Sequence, residues 1–126
     1  VYHVPQAVLI EEYVTGMEFT CIIITDYATG KFVALPPTEV IPEENTHFLD
    51  YEQKYMPGRA TKFTPARCSP EAIRAIQEEC IKVMRLLDCK NIGRIDGFLT
   101  DRGIFITDPN TFCGMAPSSY VFRQAA

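Results

Sequence analysis

The feature that most constrains the fold is a pair of strand-like runs joined by a short turn between residues 91 and 108. The runs NIGRIDGFLT and IFITD are rich in β-branched and aromatic residues, and Asp101-Arg102-Gly103 between them has the composition of a turn. Two strands this close along the chain can pair only as an antiparallel hairpin. The chain is therefore predicted to build an antiparallel sheet around this hairpin.

Other β-type runs precede the hairpin. AVLIEEY (7–13) and EFTCIIIT (18–25) are predicted as two antiparallel strands joined by a VTG turn, and KFVAL (31–35) as a third strand. Pro36-Pro37 interrupts the ladder before EVI (39–41). The run Ile22-Ile23-Ile24 predicts burial on both faces of the sheet, whereas the polar residues 43–68 are predicted to form an extended loop.

A helix is predicted from Ser69 to about Leu87. Ser69 suits the N-cap and Pro70 suits the first helical position. Glu78 and Lys82 are predicted to pair on the wet side of the helix. The apolar stripe has helical spacing and comprises Ile73, Ile76, Cys80, Val83 and Leu87. A last helix is predicted to begin in SSYVFRQAA, so the fold class is α+β, a single domain over 1–126 with its site on the sheet face opposite the long helix.

Composition limits the classes of function. The 126 residues carry 12 Lys+Arg against 16 Asp+Glu, and a net charge of -4 argues against a sequence-independent grip on nucleic acid or on an anionic membrane. Five cysteines without a C-x-x-C pair suit free thiols, and the start of the chain lacks the layout of a signal peptide. A cytoplasmic protein is expected.

The hairpin suggests where chemistry could occur. Asp108 and Asn110 are not predicted to pair by themselves, because their side chains are expected on opposite faces unless Pro109 bends the strand. The neighbouring strand can bring Asp96 beside them. Carboxylate and amide oxygens suit Mg²⁺, which takes one or two carboxylates together with phosphate oxygens. From spacing alone, these three residues could equally cap strand ends and turns.

Single residues near this place allow two interpretations each. Arg94 shares a strand face with Asp96 and could steady a phosphoryl group or an oxyanion, or it could form a structural ion pair with an aspartate. Gly114 could offer its N–H to an oxyanion, or serve only a turn. His3 and His47 have no partner at catalytic or metal spacing, so both are predicted to be surface residues.

Four blocks of sequence together resemble the C-terminal part of the ATP-grasp fold in the D-alanine-D-alanine ligase family. They occur in the order found in the family and span nearly the whole chain. The blocks are EEYVTGMEFT (11–20), DYEQKY (50–55), GRIDGFL (93–99) and DPNTFCGMAPSS (108–119).

The resemblance implies roles for residues at the nucleotide end of a site. Glu11 and Val14 match the hinge that meets adenine, Val14 through its backbone. Glu18 matches the acid that holds the ribose hydroxyls. Lys54 and Tyr55 match the loop pair that closes over phosphates and substrates.

The same resemblance implies roles at the reacting end. Arg94 matches the arginine that steadies the acyl phosphate and the tetrahedral intermediate. Gly114 matches the oxyanion N–H, and Ser119 matches the hydroxyl that meets the carboxylate of the second D-alanine. The implied ligands of Mg²⁺ or Mn²⁺ are Asp96, Asp108 and Asn110.

The activity implied is the ATP-dependent joining of two D-alanines through an acyl phosphate, for peptidoglycan precursors. Two alternatives stay open: a ligase for another amino or hydroxy acid, and a non-catalytic nucleotide-binding domain. They arise because Asp108 stands where the family has Glu, and because Pro109 and Cys113 replace a small residue and a proline of the family's loop. The family's N-terminal domain and first ATP subdomain have no counterpart in these residues, so this portion alone is expected to be inactive. A homodimer is expected of the intact protein.

Overall fold

The computed structural model describes residues 7–42 and 60–126, and in these ranges the chain forms one six-stranded antiparallel sheet with two helices. The strands are β1 (Met17–Thr25), β2 (Phe32–Ala34), β3 (Thr38–Pro42), β4 (Ala60–Phe63), β5 (Ile92–Thr100) and β6 (Gly103–Asn110). The helices are α1 (Pro70–Leu86) and α2 (Tyr120–Ala125). The order is β4-β3-β1-β5-β6, and β2 pairs with the end of β1. The α+β, mostly antiparallel prediction is confirmed.

The core lies between the sheet and α1. Side chains of a strand alternate between its two faces, so the odd-numbered residues of β1 share one face. The buried cluster consists of Phe19, Cys21, Ile23, Ile76, Cys80, Met84 and Ile95. Ile22 is also buried, on the other face, which confirms the prediction that this run is covered on both sides. That other face carries Glu18 and Thr20 and is left free of α1.

Local sequence explains where α1 begins. The Ser69 hydroxyl accepts a hydrogen bond from the Ala72 N–H at 3.2 Å, and Pro70 is the first helical residue. The helix is therefore confirmed, with its end at Leu86. The predicted ion pair is wrong in one partner: Lys82 donates to Glu79 at 2.6 Å. Residues three apart are neighbours on a helix as much as residues four apart.

The predicted first strand, 7–13, is absent. Residues 7–15 form no strand or helix, and the side chains of Val8, Leu9 and Ile10 are 81%, 80% and 89% exposed. The reason is that β1 already has neighbours on both edges: β5 pairs along one side, and β3 and β2 share the other. The VTG turn therefore joins no hairpin in the described chain.

One strand was missed. β4 lies inside the segment predicted to be a loop and pairs with β3, with Val40 opposite Lys62. A four-residue ATKF strand has too little apolar alternation to be recognised from sequence. His3, His47, Lys54 and Tyr55 lie outside the described residues. No helix in the described ranges is long and apolar enough to cross a membrane.

Candidate functional site

Two neighbouring strands bring the sequence-predicted polar residues together. In the β5–β6 pair, Arg94 lies opposite Asn110 and Asp96 lies opposite Asp108. Residues directly opposite each other in an antiparallel pair point to the same face. All four side chains therefore share the sheet face away from α1. This confirms the predicted convergence.

The prediction that Asp108 and Asn110 do not form a pair by themselves is wrong. The two residues are two positions apart in β6 and so share a face. The Asn110 Nδ2 donates a hydrogen bond to the Asp108 Oδ2 at 3.1 Å. Pro109 between them is accommodated because β6 is an edge strand of the described sheet.

A β-bulge places Asp108 on the correct face. From Thr100 to Gly97 the pairing is regular and puts Gly97 opposite Ile106, but Asp96 pairs with Asp108, leaving Thr107 as an extra residue. If the regular pairing continued past Gly97, Asp108 would lie opposite Ile95 and its side chain would point to the core face. The Thr107 hydroxyl donates to the Asp96 carbonyl at 3.2 Å across the bulge. The bulge was not predicted from the sequence. Its only sign there is that Thr107 lies between the apolar first half of the strand and the polar second half.

Arg94 forms a two-bond ion pair with Asp96. Its Nε donates to Asp96 Oδ1 at 3.0 Å and its Nη2 donates to Oδ2 at 2.9 Å. The Thr20 hydroxyl, from the neighbouring strand β1, donates to the same Oδ1 at 2.6 Å. Burial opposes the charge of the Arg94 guanidinium, but the negative charge and hydrogen bonds of Asp96 raise its pKa above the ordinary value. The ion pair that sequence left as an alternative is therefore present.

The donor set fits a hard divalent cation bound together with phosphate oxygens. Asp108 is exposed, and Asn110 uses its amide nitrogen toward Asp108, which leaves its oxygen directed away from that bond. The Asp96 Oδ2 accepts one bond, from Arg94, and keeps a lone pair, whereas Oδ1 accepts bonds from both Arg94 and Thr20. The described residues contain no group of three His, Cys, Asp or Glu side chains that could hold a metal alone. Two carboxylates and an amide match the way Mg²⁺ is held when substrate phosphates complete its coordination.

The short helix α2 covers part of the site face. Its Tyr120 ring lies 5.9 Å from the Arg94 guanidinium carbon and 4.7 Å from the Lys62 Nζ. Burial, followed by the nearby Asp96 charge, raises the pKa of Tyr120 to about 12. Tyr120 and Lys62 were not identified from sequence, because no spacing relates β4 to a helix that follows it by more than fifty residues.

Gln124 fastens α2 to the sheet. Strands β2 and β3 both pair with β1 but leave a gap between them, beside Thr20 and Ile22. The buried Gln124 side chain fills that gap: its Oε1 accepts from the Ile22 N–H at 2.8 Å, and its Nε2 donates to the Thr20 carbonyl at 2.9 Å. The same Nε2 donates to Thr38 Oγ1 at 3.0 Å. The Gln124 side chain thus makes the hydrogen bonds that the backbone of a neighbouring strand would otherwise make.

Gly114 and Ser119 lie side by side before α2. An added Cβ at Gly114 would be 3.6 Å from the Ser119 Oγ. Ser119 occupies the N-cap position of α2, but its hydroxyl makes no capping hydrogen bond. Within the described chain this hydroxyl is available to a ligand. Cys113, just before the glycine, is buried.

Of the residues expected at the adenosine end, Glu18 shares the sheet face of this group, whereas Glu11 and Val14 are separated from it. Glu18 lies on the site face of β1, opposite Phe98. Glu11 and Val14 belong to the irregular segment that runs past the β5–β6 turn, where Arg102 donates to Glu12 at 2.8 Å. Four residues of strand separate that turn from Asp96, roughly 13 Å. Lys54 and Tyr55 are outside the described residues, so their expected roles stay predictions.

Comparisons with known proteins agree with this architecture. A curated D-alanine–D-alanine ligase from Leptospira interrogans is 35% identical over 94% of this chain, which covers 34% of that protein. The chain thus spans about a third of the length of the curated relatives it matches. The solved D-alanyl-alanine synthetase A from Vibrio cholerae matches with a TM-score of 0.71 and 29% identity, over 91% of this chain and 34% of that one.

A D-alanine–D-alanine ligase from Bacillus anthracis, solved in complex with ATP, shares the fold at a TM-score of 0.67 and 19% identity, over 91% of this chain and 33% of that one. The family model described as D-ala D-ala ligase C-terminus matches residues 2–126. These likenesses assign the fold as ATP-grasp. The chain belongs to the D-alanine–D-alanine ligase C-terminal family.

Proposed function

We propose that this chain is the C-terminal part of an ATP- and Mg²⁺-dependent ligase that joins two D-alanines through an acyl phosphate, for peptidoglycan precursors. The observation that carries the proposal is the convergence of Arg94, Asp96, Asp108 and Asn110 on one sheet face of a chain that belongs to this family. Asp108 and Cys113, which depart from the family pattern, do not prevent that convergence.

Each residue has a physical task in such a reaction. A carboxylate oxygen of one D-alanine attacks the γ-phosphorus of ATP and displaces ADP, which gives an acyl phosphate. The amine of the second D-alanine then attacks the acyl carbon, loses a proton and displaces inorganic phosphate. Asp96, Asp108 and Asn110 would hold the Mg²⁺, which supplies charge neutralisation for the crowded phosphate oxygens. Arg94 faces the same place and would stabilise the developing oxyanion with its guanidinium. Its bond to Asp96 fixes its orientation before substrate arrives.

The remaining roles are proposals for residues near the reacting end and the nucleotide. The Gly114 N–H would donate to the oxyanion, and the uncommitted Ser119 hydroxyl beside it would meet the carboxylate of the second D-alanine. Glu18 would hold the ribose hydroxyls from the site face of β1. Glu11 and Val14 would meet adenine. Lys54 and Tyr55 would close over the phosphates and exclude water from the acyl phosphate.

The proposed reaction requires further domains of the same protein. Because the chain spans about a third of its relatives' length, the portion that precedes it in a complete ligase would hold the first D-alanine and the rest of the ATP site. Alone, the 126-residue chain is expected to be inactive. Its five free cysteines support a cytoplasmic protein.

The test is D-alanine-dependent release of ADP by the complete protein that carries this chain, with ATP and Mg²⁺ present and L-alanine and D-lactate as controls. We expect ADP only when D-alanine is present. ADP with D-lactate alone would replace D-alanine by a hydroxy acid as substrate. Binding of Mg²⁺-ATP without ADP formation under any condition would contradict the ligase and favour a non-catalytic nucleotide-binding domain.

The metal assignment predicts a specific phenotype for Asp96→Asn. Asparagine keeps the size of the side chain but removes a charged oxygen ligand, so nucleotide affinity should fall about tenfold in the presence of Mg²⁺ and stay unchanged in the presence of a chelator. Calorimetric titration of the complete protein with ATP under both conditions measures this. Asp101→Asn, in the exposed β5–β6 turn, is the matched control. An equal loss of nucleotide affinity in the presence of chelator would show that Asp96 does not bind the metal.

A further inference from the structure

Two cations lie near one aromatic ring beside the site, and a third follows that ring by three residues in α2. The Lys62 Nζ lies 4.7 Å from the centre of the Tyr120 ring and the Arg94 guanidinium carbon lies 5.9 Å from it. Arg123, one turn further along α2, acts electrostatically on both Tyr120 and Lys62. Residues from three separate elements, β4, β5 and α2, thus place positive charge at one point of the sheet face.

Lys62 has no carboxylate partner to balance it in the described ranges. It is half-buried, and its pKa lies below the ordinary value because of burial and, after that, because of the Arg123 and Arg94 cations. Arg123 forms no ion pair with any described residue, while the hydrogen bonds of Arg94 are directed to Asp96. A half-buried ammonium among like charges is unfavourable unless an anion compensates it.

The carboxylates of the candidate metal site, Asp96 and Asp108, lie on β5 and β6. Asp96 is bound by Arg94 and Thr20, and both Asp96 and Glu18 act on the charge of Tyr120. Lys62 lies on β4, which β3 and β1 separate from β5 in the sheet. The site face thus carries two carboxylates at its β5–β6 side, which suit a cation, and a lysine at its β4 side, which suits an anion.

We propose that Lys62 and Arg123, on the Tyr120 side of Arg94, form a subsite for an oxyanion, either a carboxylate or a phosphate group. An ammonium offers three donors and a guanidinium offers five, and bonds from such cations to anionic oxygen are short and strong. The Tyr120 ring orders Lys62 by cation–π attraction, so less side-chain entropy is lost when the anion arrives. This inference does not depend on ligase chemistry, because an anion can bind here whether or not ADP is formed.

The experiment is a titration of the full 126-residue chain, followed by amide NMR at pH 7 and constant ionic strength set with chloride. Inorganic phosphate is the probe in one arm and acetate in the other. We expect saturable shifts at Lys62, Tyr120 and Arg123. Lys62→Gln and Arg123→Gln should each weaken binding about tenfold, since each removes a charge-assisted bond. Lys82→Gln, which removes an exposed lysine on α1, should leave binding unchanged.

Saturation by phosphate alone would assign the subsite to phosphoryl groups, and saturation by acetate alone would assign it to carboxylates; either supports an oxyanion subsite. Shifts that grow linearly with both probes, or that saturate equally in Lys62→Gln and in the parent chain, would overturn it. Should Lys62→Gln disturb β4, the exposed Arg123→Gln carries the same test. If the parent chain bound neither anion while the complete protein released ADP with D-alanine, this inference would be wrong and the proposed function would stand.

Discussion

Replacing Gln124 with methionine should lower the free energy of unfolding by about 2 to 5 kcal/mol. Methionine has nearly the same length but removes one acceptor and two donated hydrogen bonds. The Ile22 N–H and the Thr20 carbonyl would then be buried without partners, because Gln124 is 4% exposed and no strand occupies the gap it fills. Denaturant unfolding of the chain, followed by far-UV circular dichroism, measures the difference.

Gln77→Met is the matched control for that prediction. Gln77 on α1 also donates to two carbonyls, those of Ala34 and Leu35, at 2.9 and 3.3 Å, but it is half-buried. Water can reach such a site and replace the lost bonds, so the loss should stay near about 1 kcal/mol. Equal unfolding midpoints for Gln124→Met and the parent chain would show that the gap in the sheet is hydrated and that Gln124 does not fasten α2.

Replacing Arg94 with alanine in the complete protein should reduce kcat for D-alanine-dependent ADP release by about a hundredfold or more, if the chain functions as proposed. The guanidinium is oriented by its two bonds to Asp96, and the loss of a preorganised cation would affect the transition state more than bound substrate. KM should therefore change much less than kcat. Initial-rate measurements at several D-alanine concentrations separate the two.

The ion pair with Asp96 offers a competing explanation for any effect of Arg94. A purely structural arginine would, on removal, lower stability and alter Mg²⁺ affinity while leaving kcat at saturating metal unchanged. Arg102→Ala is the matched control, because Arg102 also forms an ion pair, with Glu12 at 2.8 Å, but at the far turn of the same hairpin. A kcat for Arg94→Ala equal to that of Arg102→Ala would remove Arg94 from the chemistry.

Local patterns determined the parts of the fold that sequence could predict. The helix α1 follows from one N-cap serine, one proline and an apolar stripe, and the β5–β6 hairpin follows from alternation around a turn. The meeting of Asp96 with Asp108 and Asn110 follows from that hairpin. All of these depend on residues close together along the chain.

The errors about strands have a common physical origin in distant partners. AVLIEEY has the composition of a strand, but both edges of β1 are already occupied by others. β4 is a strand only because β3 offers an edge to it. Gln124 and Tyr120 contact elements far away in sequence, so no spacing rule predicts them.

The bulge at Thr107 also separates residues of the core from residues of the candidate site along a single strand. Before it, Ile104 and Ile106 pack against the core, so changes there alter how much of the protein is folded. After it, the side chains of Asp108 and Asn110 lie outside that core, so changes there should affect the proposed metal site in a chain that still folds. A substitution at Asp108 can therefore change the candidate site while the architecture persists, so the function of this hairpin can change independently of its stability.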